Sequence, residues 1–133
     1  MQTFDVQSVG IEKSARAVFR YVADPANLPQ WTNAFRRADS TSAELVTPGG
    51  AVAIKLETIA DDVAGTVDWR MSFPDGTVGM AYSRITPDGD GRAVYSFVLM
   101  APPAPLEALE GALRAQIDIL AKELQALKRR LEA

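Results

Sequence analysis

Three polar side chains in the second half of the chain stand among apolar residues, and their types point to chemistry: Tyr82, Arg84 and Tyr95. Tyr82 and Arg84 are two residues apart, so they share one face of a strand. A buried guanidinium needs an anion or another acceptor, and a tyrosine hydroxyl can donate a proton. Together they predict a site that orients a carbonyl or carboxylate on an otherwise apolar ligand. If Arg84 instead lies near a rim, its stem packs against protein and its head stays in water.

The chain has no histidine and no cysteine, which excludes several classes of mechanism. Disulfides, thiolate nucleophiles, Ser-His-Asp arrangements and the usual zinc sites are all ruled out. Asp88-Gly89-Asp90-Gly91 lacks the remaining acidic ligands of an EF-hand and is typical of a turn. The pair Asp61-Asp62 falls between predicted strands, where solvent reaches it. We therefore expect no metal and no cofactor, and the sequence assigns no catalytic residue.

Length and composition fit one globular domain over residues 1–133. Hydrophobic residues make up 47% of the chain and charged residues 23%, which argues against disorder. The formal net charge is −3, and the basic triplet at 128–130 is better explained as a helix C-terminus than as a phosphate-binding patch. The N-terminus does not resemble a signal peptide, and no apolar run reaches the roughly 18 residues of a membrane span. We therefore expect a cytoplasmic protein with no nucleic-acid partner.

The longest periodic segment runs from Leu106 to Ala133, where leucine or isoleucine recurs every three or four residues. This spacing predicts one apolar stripe on a helix roughly 40 Å long. A sheet must cover that stripe, because no other predicted helix approaches this length. Strands of about eight residues span only about 27 Å. The last turns would then overhang the sheet and leave Leu127 and Leu131 for a partner or a second copy.

The elements before that helix are a strand, two short helices and a meander. Residues 3–10 alternate, with Phe4 and Val6 as apolar positions of a first strand and Val9 as a further candidate. Ser14 and Asp24 can each cap a short helix. From about Phe35 apolar residues recur with period two, and turns at 48–50, 74–76 and 87–91 separate the runs. Connections this short join antiparallel neighbours. The prediction is an α+β fold, a curved antiparallel sheet of about six or seven strands around the C-terminal helix.

This order of elements resembles the helix-grip fold of the START-like (SRPBCC) superfamily. The segment VFRYVADPANLPQW at 18–31 is similar to the family pattern VF.Y..DP.N.P.W, and the resemblance extends over essentially the whole chain. The superfamily includes polyketide cyclases and aromatases, lipid-transfer domains and plant pollen-allergen proteins. The resemblance implies an apolar cavity between the sheet and the long helix, with the short helices near its mouth.

Three functions remain open at this point. The resemblance favours binding of a lipid-like or aromatic, polyketide-like molecule in that cavity. As the second hypothesis, it allows a cyclase or aromatase acting there, with tyrosine as proton donor in a cyclase-like or dehydratase-like reaction. Periodicity alone also allows a filled core, in which case the chain would be an interaction module that dimerises through the long helix.

The apolar strand faces must meet the helix stripe, so the residues lining the space can be named. The candidates are Ile54, Leu56, Trp69 and Met71 from the sheet, Leu109, Leu113 and Ile117 from the helix, and Trp31 and Phe35 at the mouth. The two tryptophans are the side chains best suited to bind a ring.

The inward face of residues 77–86 depends on the turn that precedes it. A two-residue type I′ turn would pair Trp69 with Tyr82, and the bulky set would point inward: Val78, Met80, Tyr82 and Arg84. A type I turn with a bulge would pair Trp69 with Ala81, and the small set would point inward: Gly79, Ala81, Ser83 and Ile85.

We favour the bulky set. A four-residue loop at 87–90 would then place Tyr82 opposite Tyr95 and Met80 opposite Phe97, which buries large side chains. The other register would form an outward apolar patch and a dimer interface. No Asp or Glu falls on a favoured inward strand position, so a general base is hard to find. The expected ligand-binding residues are Trp31, Phe35, Leu56, Trp69, Met71, Tyr82, Arg84, Tyr95, Phe97, Leu113 and Ile117.

Overall fold

The structure is a computed structural model and describes residues 2–47, 50–104, 107 and 112–133. Its strands are β1 Phe4–Ile11, β2 Phe35–Ala38, β3 Ser42–Thr47, β4 Gly50–Asp61, β5 Thr66–Ser72, β6 Val78–Pro87 and β7 Ala93–Met100. The helices described are α1 Ala15–Ala23, a 3₁₀ turn at Pro25–Asn27, α2 Leu28–Trp31 and α3 Leu113–Glu132.

The strands form a single antiparallel sheet in the order β1-β7-β6-β5-β4-β3-β2. Neighbours from β2 to β7 are consecutive in the chain, because short turns join them, and β1 completes the sheet by pairing with β7. Helix α3 packs across the concave side, where its buried leucines join the core formed by the sheet. The predicted α+β helix-grip architecture is confirmed.

The two short helices begin where the sequence predicts. The Ser14 Oγ accepts the Ala17 N–H at 3.2 Å, and an Asp24 Oδ1 accepts the Ala26 N–H at 3.0 Å, so each cap satisfies an N–H that the helix leaves free. These caps place Trp31 at the end of α2, where its side chain is buried against the core.

The long helix is shorter than predicted. Ala112 has extended backbone angles (φ −67°, ψ 167°), so α3 begins at Leu113 and its 20 residues span about 30 Å. The overhang prediction is wrong, because Leu127 has 0% of its surface exposed and Leu131 packs against the core. The end of α3 is held against β1, since the Lys128 Nζ donates to the Gly10 carbonyl oxygen at 2.8 Å. The predicted lining residue Leu109 lies outside the described residues.

Of the three apolar positions predicted for β1, only Val9 faces the core. Phe4 and Val6 are 53% and 54% exposed, whereas Val9 and Ile11 are buried. The register explains this, because Val9 pairs with Tyr95 of β7 and therefore shares its inward face.

The favoured register of residues 77–86 is also wrong. Trp69 pairs with Ala81, and Gly76 has a positive φ of +90° at the end of a three-residue turn, as the bulged alternative requires. The next loop has five residues, because Pro87 pairs with Ala93. Tyr82 and Arg84 thus lie on the outer face, with Tyr82 38% exposed.

A steric contact explains why the small residues of β6, and not the bulky ones, point inward. A Cβ added at Gly79 would lie 3.3 Å from the Pro103 Cγ and 3.6 Å from the Met71 Cε. The segment that follows β7 therefore crosses this part of the concave face and leaves no room for a bulky residue there. Two of the side chains predicted to point inward, Tyr95 and Phe97, keep that orientation because the longer loop compensates for the flipped strand.

Candidate functional site

An apolar pocket lies between the concave face of the sheet, α2 and α3. The volume of this pocket is about 90 Å³, several times the volume that one water molecule occupies on the same measure. The described residues that line it are Leu28, Trp31, Thr32, Ala34, Phe35, Leu45, Trp69, Met71, Ala81, Phe97, Leu99, Gln116, Ile119, Leu120 and Glu123. The partly exposed members, including Phe35 and Ile119, mark the mouth of the pocket.

Five of the residues predicted from the sequence meet at this pocket: Trp31, Phe35, Trp69, Met71 and Phe97. The structure places the other six elsewhere. Leu56 and Tyr95 are buried in the core behind the lining. Leu113 and Ile117 are half-buried on α3 outside the lining, and Tyr82 and Arg84 are on the outer face of β6.

The aromatic walls of the pocket are fixed by contacts between rings. Trp31 meets Tyr95 edge to face, with centroids 6.2 Å apart and planes at 88°, and Trp69 stacks on Phe97 at 6.1 Å and 26°. Both arrangements are favourable geometries for aromatic pairs. The indoles are almost fully buried, with 4% of Trp31 and 3% of Trp69 exposed. The pocket therefore has flat aromatic walls, and each indole is in contact with a second ring.

Tyr95 supports this wall and does not lie in the pocket. Burial raises the pKa of its hydroxyl, and the neighbouring Ser83 hydroxyl acts in the opposite direction. The phenol thus stays neutral at physiological pH. Its aromatic ring positions Trp31, and the predicted partnership with Tyr82 and Arg84 is not formed.

Arg84 lies at a different depression on the protein surface. That depression also includes Arg16, Phe19 and Asp62, and it lies between α1, the turn after β4 and β6. The inward guanidinium expected from the sequence is therefore absent from the apolar pocket. Its described lining contains no cationic side chain.

Sequence reasoning missed the polar residues that α3 contributes, Gln116 and Glu123. Gln116 is 3% exposed and lies on the wall where Ile117 was expected. The sequence does indicate that Gln116 is buried, because it stands three residues after Leu113 and four before Leu120 and so lies on the apolar stripe itself. The Glu123 carboxylate lies farther along α3, and its Oε2 accepts the Asn33 N–H at 2.6 Å.

The described part of the chain contains no group of three or more acidic side chains placed to hold a metal ion. Within the same ranges, no helix combines the length and the apolar character needed to cross a bilayer.

Comparisons with other proteins agree with this geometry. The family described as polyketide cyclase / dehydrase and lipid transport matches residues 2–132. A START superfamily protein from Mycobacterium smegmatis is 16% identical, with 98% of each chain covered and a TM-score of 0.72. No curated protein sequence matches the chain.

Two solved aromatase/cyclase structures are also similar. The di-domain ARO/CYC BexL is 18% identical with a TM-score of 0.73, and the match covers 98% of this chain and 47% of that one. The Zhui aromatase/cyclase from a Streptomyces species is 10% identical with a TM-score of 0.65, covering 97% and 93% of the two chains. At these identities the likeness establishes the fold.

Proposed function

This chain belongs to the polyketide cyclase / dehydrase and lipid transport family, and from that premise we propose that it binds an apolar, ring-bearing small molecule between α3 and the sheet. One observation carries the proposal: the pocket has room for several water molecules, two buried indoles line it, and most of its other described residues are apolar. Ligand sites of this kind are concave and mostly apolar, with a few polar groups that set orientation.

The chemistry of the walls favours rings over flexible chains. Trp31, Trp69 and Phe97 present flat surfaces whose positions are set by ring contacts, so a flat ligand can stack without reorganising the protein. Gln116 contributes a buried amide to the same lining. A two-ring hydrocarbon of about ten heavy atoms, at roughly 0.4 kcal/mol per atom, would bind with a Kd on the order of 1 mM.

Native mass spectrometry of the purified protein, combined with calorimetric titration of tetralin, tests this proposal. We expect a co-purifying apolar molecule that tetralin displaces, or direct binding of tetralin when the pocket is empty. Ala81→Leu, which adds bulk to the pocket lining, should weaken tetralin binding about tenfold or more. The matched control Ala53→Leu lies at an exposed position of β4 and should leave the affinity unchanged. Equal tetralin affinity in both variants would contradict the proposal.

A cyclase-type reaction in the same pocket is the second candidate, and Glu123 is the observation that favours it. Glu123 is the one carboxylate among the described lining residues, and its hydrogen bond to the Asn33 N–H fixes its position. A positioned carboxylate can serve as a general base. Glu123→Gln should then abolish turnover of a poly-β-ketone substrate while retaining substrate affinity. Turnover that survives in Glu123→Gln would remove this residue from the mechanism, and absence of turnover in the unmodified protein would leave binding as the function.

A further inference from the structure

The outer, convex face of the sheet carries a continuous apolar patch over β1, β7 and β6. Val6 pairs with Val98, and Val98 pairs with Tyr82, so one row of apolar side chains crosses all three strands. Phe4 and Met100 pair in the neighbouring row. All five side chains except Val98 are more than a third exposed. Because side chains paired across strands touch one another, these residues form one patch and are not scattered singly over the surface.

The distribution of charge on the same face sets these three strands apart. Their outward positions, all of which the structure describes, contain one charged residue, Arg84. The outward positions of β4 and β5 contain Lys55, Glu57 and Arg70, as is usual where an antiparallel sheet faces water. Depletion of charge together with aromatic residues and methionine is typical of the core of a protein–protein interface. The patch therefore has the composition of an interface core.

The size of the patch fits a weak dimer. Three paired strands of about eight residues cover roughly 27 by 14 Å, or about 400 Å². Two such faces packed together would bury about 800 Å² or more in total, which lies in the range of transient complexes and below that of obligate dimers. We therefore expect a dissociation constant on the order of 10 µM.

A second copy of the chain fits this face better than a bilayer surface does. In a twofold dimer the same patch meets itself, so an uncharged patch avoids placing like charges opposite each other near the axis. The charged residues of β4 and β5, where Glu57 pairs with Arg70, would then lie at the polar rim. Binding to a membrane surface uses lysine and arginine around the apolar residues, whereas the outward positions of the patch include only Arg84 and the formal net charge is −3.

We propose that two copies of this chain associate through the convex faces of β1, β7 and β6 in a weak, twofold-symmetric dimer. The dimer forms through the sheet, whereas the sequence pointed to the end of the long helix. The apolar pocket lies on the concave side of the same sheet, so this inference does not depend on the proposed function.

Sedimentation equilibrium of the unmodified chain tests the proposal. Between about 1 µM and about 500 µM, the average mass should rise from the 14.4 kDa of a monomer toward twice that value. Val6→Lys and Tyr82→Lys should each raise the dissociation constant at least about tenfold, because each places a charge in both halves of the interface. The matched control Val46→Lys changes a valine of similar exposure, 50% against 54% for Val6, on the far side of the sheet. It should leave the dissociation constant unchanged.

The two test variants also distinguish face packing from edge pairing. Tyr82 lies two strands in from the edge strand β1, so pairing of two β1 edges would not require it. A dimer weakened by Val6→Lys and Tyr82→Lys and retained in Val46→Lys supports the proposal. If Tyr82→Lys does not fold by circular dichroism, Tyr82→Ser takes its place, with the same expected direction.

Three results would overturn the proposal. The first is a mass of 14.4 kDa at every concentration. The second is a dimer that the substitution at Tyr82 leaves intact, and the third is a dimer that Val46→Lys weakens as much as Val6→Lys does. A chain that stays monomeric and floats with phosphatidylcholine vesicles would assign the patch to a lipid surface instead.

Discussion

Ala81→Leu distinguishes a hollow interior from a filled one through the sign of its effect on stability. Ala81 lines the pocket and pairs with Trp69 in the neighbouring strand, so the larger side chain enters the space between the sheet and α3. Three added carbons are worth at most about 2.5 kcal/mol when buried, and ordering a leucine costs about 0.5–1 kcal/mol. In a hollow pocket we therefore expect the variant to be more stable by about 1–2 kcal/mol.

Urea denaturation followed by circular dichroism measures this effect. With a slope of about 2 kcal/mol per molar urea, the midpoint should rise by roughly 0.5–1 M. Ala53→Leu, at an exposed position of β4, should change the free energy of unfolding by no more than about 0.5 kcal/mol. In a filled core the added carbons would instead overpack and destabilise the protein by about 1–3 kcal/mol. Destabilisation of that size in Ala81→Leu, with Ala53→Leu near neutral, would refute the account of the pocket.

Three further predictions concern the scaffold. Backbone N–H groups of its own loop lower the pKa of Asp39 from 3.8 to about 2. The stabilisation from this carboxylate is therefore present above about pH 4 and is lost as the pH falls toward 2. In acid titrations the difference in stability between the unmodified protein and Asp39→Asn should disappear over that range. Leu127→Ala should destabilise by about 2–5 kcal/mol in urea, because the side chain is fully buried; a change below about 1 kcal/mol would mean that α3 does not dock as described. Gly65→Ala should lower the melting temperature of the protein more than Gly76→Ala does. Both glycines have positive φ, but only a Cβ at Gly65 would lie 2.5 Å from the Ile85 carbonyl oxygen. Equal melting temperatures would contradict this.

The fold could be predicted from the sequence because its signals are local and agree with one another. Caps at Ser14 and Asp24, period-two runs and turn residues each fix an element, and the short connections leave antiparallel pairing as the only arrangement. These local signals therefore largely determine the order and the antiparallel pairing of the strands. The match over residues 2–132 shows the family, and the resemblance added the expectation of an apolar cavity with the short helices near its mouth.

The site was predicted only in part, because it depends on strand register. Two turns each differ from the favoured geometry, and a shift of one residue moves Tyr82 and Arg84 from the pocket to the outer face. Nothing in the local sequence around 77–86 decides between the two turns. The deciding contact is Pro103 over Gly79, which is distant in sequence. Gln116 was not predicted, because the buried face of α3 was inferred only from its leucine and isoleucine positions.

The convex face of the sheet offers a second place where an apolar ligand could bind. Tyr82, Val6 and Met100 are partly exposed apolar side chains on the convex face, which an apolar probe could also contact. Binding by itself therefore does not locate the ligand. The location of the probe on the protein has to be measured.

Intermolecular nuclear Overhauser effects between tetralin and the protein side chains make that measurement directly. We expect contacts from tetralin protons to the rings of Trp31, Trp69 and Phe97 on the concave side of the sheet. Contacts confined to Tyr82 and Met100 on the convex face, or no contacts at saturating tetralin, would contradict it.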